Sequence, residues 1–256
     1  MNNSIENKLV ATHFIAQRSQ TPVQSDIPKE LTLNTIDDVL AVQKLMIYLN
    51  NQKVYGWKCM IPSAEGEITL APLLHKPIES NERCALYTEN DKALIEPEIA
   101  FVLDTDLHSN KQYSNEEIDT AFGRAYIALE LIQNRFSKNY QATRFEKLAD
   151  GLSNQGIYLG PQIAKDKAYE SSRINVNIKQ PSQVLNLAGK HPAGLAQLPL
   201  YWAINFLSEQ GFSLTAGQVF ITGSYCGLVK LNTNEKTSIS YENLGTFDTT
   251  FLKNKN

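Results

Sequence analysis

The sequence predicts an α+β protein in which a helical N-terminal portion precedes a strand-rich body. Apolar residues follow helical spacing in the first fifth of the 256-residue chain. From Val54 onward, short runs of alternating apolar and polar residues, separated by turn residues, are typical of strands. Such a succession of strands with few regular helices between them speaks against a doubly wound fold, in which strands and helices alternate.

The N-terminal portion contains two predicted helices. Residues 3–18 form the first, and a loop over residues 19–28 follows it. The second begins after Thr35, because Thr35 and Asp38 have the spacing of a capping box. Apolar residues then recur at helical spacing as far as Leu49.

We place the helical N-terminal portion at residues 1–53 and the body at residues 54–256, and expect one continuous structural unit. In the body, a short helix is predicted after Ser114, and a long helix after Pro192 that ends at Gly211, a favourable residue just past a helix. The remaining periodic segments predict strands at 53–60, 94–103, 123–133, 156–163, 173–180, 217–222, 227–232 and 237–241.

Composition and charge restrict the class of protein. The hydrophobic fraction of 42% is sufficient for a core, and the net charge of −3 without a basic stripe argues against nucleic acid as a partner. The longest apolar runs are too short to span a bilayer, and the polar N-terminus has no secretory signal. Three widely spaced cysteines predict a reducing compartment. We therefore expect a cytoplasmic protein.

The segment Ala93–Asp104, "ALIEPEIAFVLD", is an apolar strand that carries two acids. In a strand, Glu96 and Glu98 share a face, about 6–7 Å apart at Cα. In a helix they would diverge, and Pro97 would break the helix. Two like charges among apolar neighbours repel each other and lose hydration, so an attractive partner is expected.

A third acid, Glu130, interrupts the predicted strand "RAYIALELIQNRF". Three converging carboxylates can hold a divalent cation, and an all-oxygen donor set favours a hard ion, Mg²⁺ or Mn²⁺. The alternative is that all three acids are solvated at the surface of a sheet. The four histidines, including His191, show no ligand spacing and are expected at the surface or in loops.

Two further features have both a functional and a structural interpretation. Lys58, in "VYGWKCMI", is either an edge lysine whose stem lies along the sheet or a cation of the active site. In "ITGSYCGLV", Gly223 and Gly227 permit a close backbone approach, as a carboxylate-binding site would need, although a bulge or turn explains them equally well.

Several motifs in order resemble one enzyme family. They are "IEPEIAFVL", "ALELIQNRF", "LSNQGIYLG", "HPAGL…YWAINFLSEQGFSLTAGQVFITGSYCG" and "YENLGTF". From about Tyr55 to the C-terminus, the sequence resembles the 2-keto-4-pentenoate hydratase branch of the fumarylacetoacetate hydrolase superfamily. The resemblance implies a fumarylacetoacetase C-terminal-like mixed β-sandwich or roll with a helical N-terminal portion.

The resemblance also implies roles for individual residues. Glu96, Glu98 and Glu130 match the family's metal ligands. Lys58 matches a lysine beside the metal that acts as an acid/base or binds the substrate oxyanion. Two serines fall where the family contacts the substrate carboxylate, namely Ser153 and Ser224.

The sequence departs from the family pattern close to these residues. Thr69 stands where hydratases of this branch carry an aspartate, and Glu65 and Glu67 lie nearby. Cys226 replaces a small polar residue, and "LSNQG" stands where an "ASSGG"-like loop is common. The metal ligands are therefore present, whereas their surroundings are altered.

The resemblance implies a Mg²⁺- or Mn²⁺-dependent hydratase that adds water to a 2-hydroxy-2,4-dienoate, giving a 4-hydroxy-2-oxo acid. Alternatives within the superfamily are a 2-oxo-acid decarboxylase of the 4-oxalocrotonate type and an acylpyruvate hydrolase. An alternative of another class is a catalytically weakened paralogue that binds metal and oxo acid. The expected partners are a small-molecule substrate and further copies of the chain, without nucleic acid or membrane.

Overall fold

The computed structural model describes residues 2–18, 26–28, 31–79 and 82–254. Most of the predicted loop over residues 19–28 lies outside these ranges. None of the helices in the described ranges is both long and apolar enough to cross a membrane. The helices are α1 (Asn2–Gln17), α2 (Ile36–Leu49), α3 (Asn115–Ala121), α4 (Arg144–Ala149), α5 (Lys165–Glu170) and α6 (Leu198–Glu209).

The strands form two sheets that together make an α+β architecture. The first sheet has the order β2-β1-β10-β5-β6-β7-β3, with β11 also paired to β5, and the second has the order β4-β13-β12-β8-β9. Their bounds are β1 (Gly56–Met60), β2 (Thr69–Leu73), β3 (Ile78–Glu79), β4 (Arg83–Leu86), β5 (Lys92–Leu103), β6 (Phe122–Ile132), β7 (Asn154–Ile163), β8 (Arg173–Gln180), β9 (Gln183–Lys190), β10 (Val219–Ile221), β11 (Val229–Asn232), β12 (Lys236–Tyr241) and β13 (Gly245–Lys253).

The predicted elements are present, with strand boundaries that shift by up to three residues. The capping box of Thr35 and Asp38 opens α2, and Ser114 caps α3 in the same way. The long helix begins later than predicted, at Leu198, because turns that include Gly194 at φ +84° follow Pro192. Five strands and two short helices were not predicted from the sequence, namely β2, β3, β4, β9, β13, α4 and α5.

The first sheet is curled, because its two edge strands are neighbours in sequence. Leu73 ends β2 and Ile78 begins β3, so five residue steps join the edges and span at most about 18 Å. Seven strands laid flat would separate those edges by about 29 Å. The sheet therefore bends until its edges approach each other, and it acquires an inner and an outer face.

Each face has its own apolar layer. The outer face packs large residues such as Phe101 and Leu129 against the second sheet and α6. The inner face carries a smaller buried cluster that includes Ala100, Ala128 and Ile221. Alternation along β5 and β6 places the acids of those strands on the same face as the two alanines, inside the curl.

The N-terminal helices pack against the body through a separate apolar cluster. Val10 and Phe14 of α1 and Met46 of α2 contact Phe136 and Leu148 in this cluster. The buried side chain of Gln43 donates from Nε2 to the carbonyl oxygens of Leu70 and Leu148, both at 3.0 Å. Helix α2 is thereby tied to the edge strand of the curled sheet and to α4.

Candidate metal centre

Glu96, Glu98 and Glu130 converge at one end of the inner face of the curled sheet. Strands β5 and β6 are antiparallel, and Glu96 lies directly opposite Glu130 in their register. Glu98 lies opposite Ala128, whose small side chain leaves space above the sheet. The sequence predicted that Glu96 and Glu98 share a face, and the register adds Glu130 to that face.

These three residues, here called the glutamate cluster, have the geometry of a cation site. One carboxylate oxygen from each lies within 4.8 Å of the other two. Glu98 and Glu130 are 2% and 0% exposed, and Glu96 is half-buried. The alternative that all three acids are solvated at a sheet surface is therefore wrong. The donor set, with oxygen atoms alone, fits a hard divalent cation.

Burial and the neighbouring carboxylate raise the acid pKa values of two members of the cluster. Burial raises the pKa of Glu98 well above its usual range, and the neighbouring Glu130 carboxylate raises it further. Burial and Glu130 also raise the pKa of Glu96. A bound divalent cation would reverse this effect, because it favours the ionised form of each carboxylate. The cluster thus fits the ion that the sequence predicted.

Lys58 lies beside the glutamate cluster and pairs with one of its members. Its Nζ donates to Oε1 and Oε2 of Glu130 at 2.7 and 2.9 Å, and its side chain is 13% exposed. Strand β1 lies between β2 and β10, so the alternative of an edge lysine is wrong. Burial acts to lower the pKa of Lys58, but Glu130 and the other two glutamates outweigh it and raise the pKa. Lys58 is therefore an ammonium at neutral pH.

The loop after β10 supplies a backbone donor to the cluster. The Gly223 N–H donates to Oε2 of Glu98 at 2.8 Å. Gly223 has φ +126°, and a Cβ there would lie 2.8 Å from Cγ of Pro192, so this approach requires glycine. Ser224 Oγ is 3.2 Å from the carbonyl oxygen of Pro97, which places this serine next to the segment that carries Glu96 and Glu98.

The loop before β7 carries Ser153, and Asn154, the first residue of β7, reaches the site. Ser153 has φ +65°, and its carbonyl oxygen accepts from the Gln133 N–H at 2.8 Å. The Asn154 side chain donates from Nδ2 to Oε1 of Glu130 at 2.9 Å. The sequence analysis missed Asn154. The available signal was its polar amide at the start of an apolar strand, within the loop that departs from the family pattern.

The departures from the family pattern leave no replacement acid among their described neighbours. Ala71 pairs with Lys58 and shares its face of the sheet, and Thr69, two residues earlier in the same strand, therefore lies on the inner face as well. A threonine hydroxyl does not act as a base at neutral pH. Glu65 accepts from Ser63 Oγ, and Glu67 pairs with Arg144 at 3.3 Å.

Cys226 does not supply a nucleophile in this structure. Its side chain is half-buried, and burial raises the pKa of its thiol to about 11. The thiol therefore stays protonated at neutral pH, whereas the reactive form of cysteine is the thiolate.

His191 lies in the loop after β9, one of the two places expected for it, but it is buried there rather than at the surface. Its ring is 0% exposed; Nδ1 accepts from the Ala193 N–H at 3.2 Å, and Nε2 lies 3.3 Å from Thr222 Oγ1. Burial lowers the pKa of His191 to about 4. A neutral His191 thus supports Thr222, the residue before the Gly223 amide that holds Glu98.

Comparison by sequence finds a distant relative. The chain is 22% identical over 158 residues to 2-keto-4-pentenoate hydratase 2 of Dechloromonas aromatica (strain RCB). The match covers 61% of this chain and about 60% of the length of that relative. No family model matches the sequence.

Comparison by structure extends over nearly the whole chain. The 4-oxalocrotonate decarboxylase of Pseudomonas putida G7, solved with magnesium and adipate, matches with a TM-score of 0.76 at 17% identity, covering 96% of this chain and 97% of that one. The 2-hydroxyhepta-2,4-diene-1,7-dioate isomerase of Mycobacterium marinum matches with a TM-score of 0.53 at 14% identity over 79% of this chain and 77% of that one.

These matches confirm the resemblance that the sequence motifs indicated. A protein of Yersinia pestis CO92, described as a putative fumarylacetoacetate hydrolase family protein, also shares the fold. It matches with a TM-score of 0.51 at 15% identity, over 77% of this chain and 91% of that one. The chain therefore has the mixed α+β fold of the fumarylacetoacetate hydrolase superfamily.

Proposed function

We propose that the protein is a divalent-metal-dependent hydratase that adds water to a 2-hydroxy-2,4-dienoate and yields a 4-hydroxy-2-oxo acid. One observation supports this most strongly: the glutamate cluster and the Lys58 ammonium meet at one end of the inner face of the curled sheet. The sequence relative named as a 2-keto-4-pentenoate hydratase favours the same chemistry.

The glutamate cluster would hold Mg²⁺ or Mn²⁺. When bound, such an ion acts as a Lewis acid toward the carboxylate and the C2 oxygen of a 2-oxo acid. Glu96, Glu98 and Glu130 supply the oxygen ligands, while the Gly223 N–H fixes the orientation of Glu98. Asn154 fixes Glu130 in the same way, so the ligands are preorganised.

Lys58 would stabilise negative charge that develops on the substrate. Conversion of the dienol to its 2-oxo form moves a proton from oxygen to carbon, and charge accumulates on the C2 oxygen meanwhile. The Lys58 ammonium, held by Glu130, offers positive charge and a proton beside that oxygen. Ser153 and Ser224 lie on the two loops that reach the cluster and are proposed contacts of the substrate carboxylate.

A 2-oxo-acid decarboxylase of the 4-oxalocrotonate type is the second candidate. Decarboxylation uses the same stabilisation of charge at the C2 oxygen but adds no water, so it does not need the acid that Thr69 replaces. An acylpyruvate hydrolase needs a base to activate water, and the described residues around Thr69 offer none. A metal- and oxo-acid-binding paralogue without turnover is the remaining alternative.

Product analysis separates these candidates. The purified protein is incubated with Mg²⁺ or Mn²⁺ and a panel of 2-hydroxydienoates, oxalocrotonate-type diacids and acylpyruvates. Water addition supports the hydratase, release of CO₂ supports the decarboxylase, and release of pyruvate supports the hydrolase. If no product forms with any compound of the panel although the protein binds metal, the metal- and oxo-acid-binding paralogue without turnover is favoured. Glu98→Gln and a chelator are the controls for metal dependence.

We further propose that the protein acts in the cytoplasm as a homo-oligomer. The proposal comes from the resemblance to the superfamily. Light scattering checks the assembly: a mass near that of one 28.7 kDa chain would contradict it.

A further inference from the structure

Arg18 connects the end of α1 to the loop that precedes β7. Its side chain is 5% exposed. Nη1 donates to the carbonyl oxygen of Asn154 at 2.9 Å, and Nη2 donates to the carbonyl oxygen of Asp150. One guanidinium therefore holds both ends of the turn formed by residues 151–153.

That turn is strained. Gly151, Leu152 and Ser153 have φ values of +81°, +54° and +65°. Glycine adopts such values at little cost, but leucine and serine rarely do, and a residue in this region costs about 1–3 kcal/mol. A Cβ at Gly151 would lie 2.9 Å from Nη2 of Arg18, so the guanidinium is packed directly against the turn. Surrounding contacts must maintain this conformation.

Among the residues that the structure describes, the charges around Arg18 are not balanced locally. Arg135 pairs with both carboxylate oxygens of Asp150 at 2.8 Å, whereas Arg18 Nη2 lies 4.0 Å from Oδ1 of that residue. Arg18, Arg135 and Asp150, here called the arginine cluster, thus place two guanidinium groups beside one carboxylate. All three side chains are at most 5% exposed. Within the described ranges, Nε of Arg18 has no hydrogen-bond partner.

A buried excess charge is a costly way to anchor a helix. Apolar residues of similar volume often replace buried ions without loss of stability. Helix α1 already has apolar anchors in Val10 and Phe14. Burial, and then the neighbouring Arg135, lower the pKa of Arg18 to about 9, so it still carries its charge at neutral pH. The free-energy cost of burying this charge is explained if Arg18 stabilises the turn rather than anchoring the helix.

The turn leads directly to the glutamate cluster. Asn154, whose carbonyl oxygen is held by Arg18, donates from its side chain to Glu130 at 2.9 Å. We propose that Arg18 is a positioning residue, which holds the strained turn so that Asn154 supports Glu130. The effect of Arg18 on metal binding rests on the proposed function, whereas its effect on the conformation of the turn can be tested without any substrate.

The test compares Arg18→Gln with Val10→Ala. Val10 is buried in the same helix and donates no side-chain hydrogen bond to the turn, so Val10→Ala weakens the apolar anchoring of α1 and leaves the guanidinium clamp in place. Amide hydrogen exchange of residues 150–156 and the affinity for Mn²⁺, by calorimetry, are measured on the full chain. We expect Arg18→Gln to accelerate exchange there about tenfold or more, since a charge-assisted clamp is lost.

We expect Arg18→Gln also to weaken Mn²⁺ binding by about tenfold, the lower end of the effect of losing outer partners of a metal site. Val10→Ala should leave both measurements near those of the wild type. Arg18→Lys, which can still reach one carbonyl oxygen, should fall between the two. Equal effects of Arg18→Gln and Val10→Ala on exchange at residues 150–156 would overturn the proposal.

Gly151→Ala tests the same clamp if Arg18→Gln does not fold. The added methyl would displace the guanidinium from the turn and, at φ +81°, would also strain residue 151, so faster exchange in residues 150–156 is again expected. Unchanged exchange in this variant would contradict the positioning role. A wild-type protein that binds no Mn²⁺ would count against the proposed function instead, while the exchange comparison would still decide the role of Arg18.

Discussion

Two buried charge clusters contact Asn154, and their net charges are opposite in sign. The glutamate cluster accepts from its side-chain amide, and the arginine cluster donates to its carbonyl oxygen. When ionised, the three carboxylates of the glutamate cluster exceed the single ammonium of Lys58 by two negative charges. The arginine cluster has one positive charge in excess, with two guanidinium groups beside the carboxylate of Asp150. Among the described residues, the positive charge beside the glutamate cluster is smaller than its negative charge, and the negative charge within the arginine cluster is smaller than its positive charge.

The difference lies in what satisfies each cluster. In the arginine cluster, both arginines donate to the backbone carbonyl of Asp150, and Arg18 also donates to that of Asn154, so the guanidinium groups are used to bind backbone oxygens. In the glutamate cluster, burial and then the Glu130 carboxylate raise the pKa of Glu98, and the Lys58 ammonium faces three carboxylates. The first arrangement is suited to holding backbone in place, and the second to binding an ion from solution.

Glu98→Gln should have the largest effect, and it should separate metal binding from folding. The substitution removes one ligand, so we expect Mg²⁺ and Mn²⁺ affinity to fall by more than about 100-fold, beyond the effect of losing an outer partner. The metal-free protein should melt at a higher temperature, because one of three repelling buried carboxylates is gone. Calorimetry and melting curves measure both. Unchanged Mg²⁺ affinity would refute the ligand assignment.

Lys58→Met should lower kcat by about 10²–10³-fold, the usual effect of losing one group that stabilises transition-state charge. The structure adds an effect on folding that the sequence did not suggest. Glu130 would lose a buried partner, which typically costs about 3–5 kcal/mol in the metal-free protein. Saturating Mg²⁺ should restore much of this stability.

Turnover with an accepted substrate, and melting with and without Mg²⁺, check the Lys58→Met expectations. Lys236→Met is a matched control, because this exposed lysine pairs with Asp248 at the surface, in the second sheet. Full activity in Lys58→Met would exclude its catalytic role and leave the glutamate cluster intact.

Asn154→Ala should weaken metal binding by about 10–100-fold, since it removes the amide that orients Glu130. The loss of metal affinity in Asn154→Ala should exceed that in Arg18→Gln, because Asn154 contacts Glu130 directly and Arg18 contacts only Asn154. The two substitutions act on one path, so the double variant should lose less affinity than the sum of the separate losses. Additive losses, measured by calorimetry, would show that Arg18 does not act through Asn154.

His191 should make the smallest contribution, confined to acid stability. Its folded-state pKa of about 4 lies below its ordinary value of 6.5. The unfolded chain therefore binds more protons in this window, and stability is lost as pH falls from about 6.5 through 4, by at most about 3 kcal/mol. His191→Asn keeps an acceptor for Ala193 and should flatten this dependence. An unchanged slope of unfolding free energy against pH would contradict the expectation.

Local patterns in the sequence were sufficient for much of the fold. The capping boxes at Thr35 and Ser114 predicted the start of α2 and α3, because capping depends on residues three positions apart. Strand β9 was missed because it is a half-exposed edge strand in which the exposed Val184 and Ala188 break the alternation of apolar and polar residues. Helix α4 was missed because six residues are too few to establish a period.

The sequence by itself determined that Glu96 and Glu98 share one face, since Pro97 excludes a helix and the period of a strand is two. Tertiary structure decided the rest of the site. The register of β5 and β6 set Glu130 opposite Glu96, and the curl of the sheet brought Lys58 to Glu130. Arg18 contacts Asn154 across 136 residues of chain. Such contacts depend on how distant segments pack, and no local period encodes them.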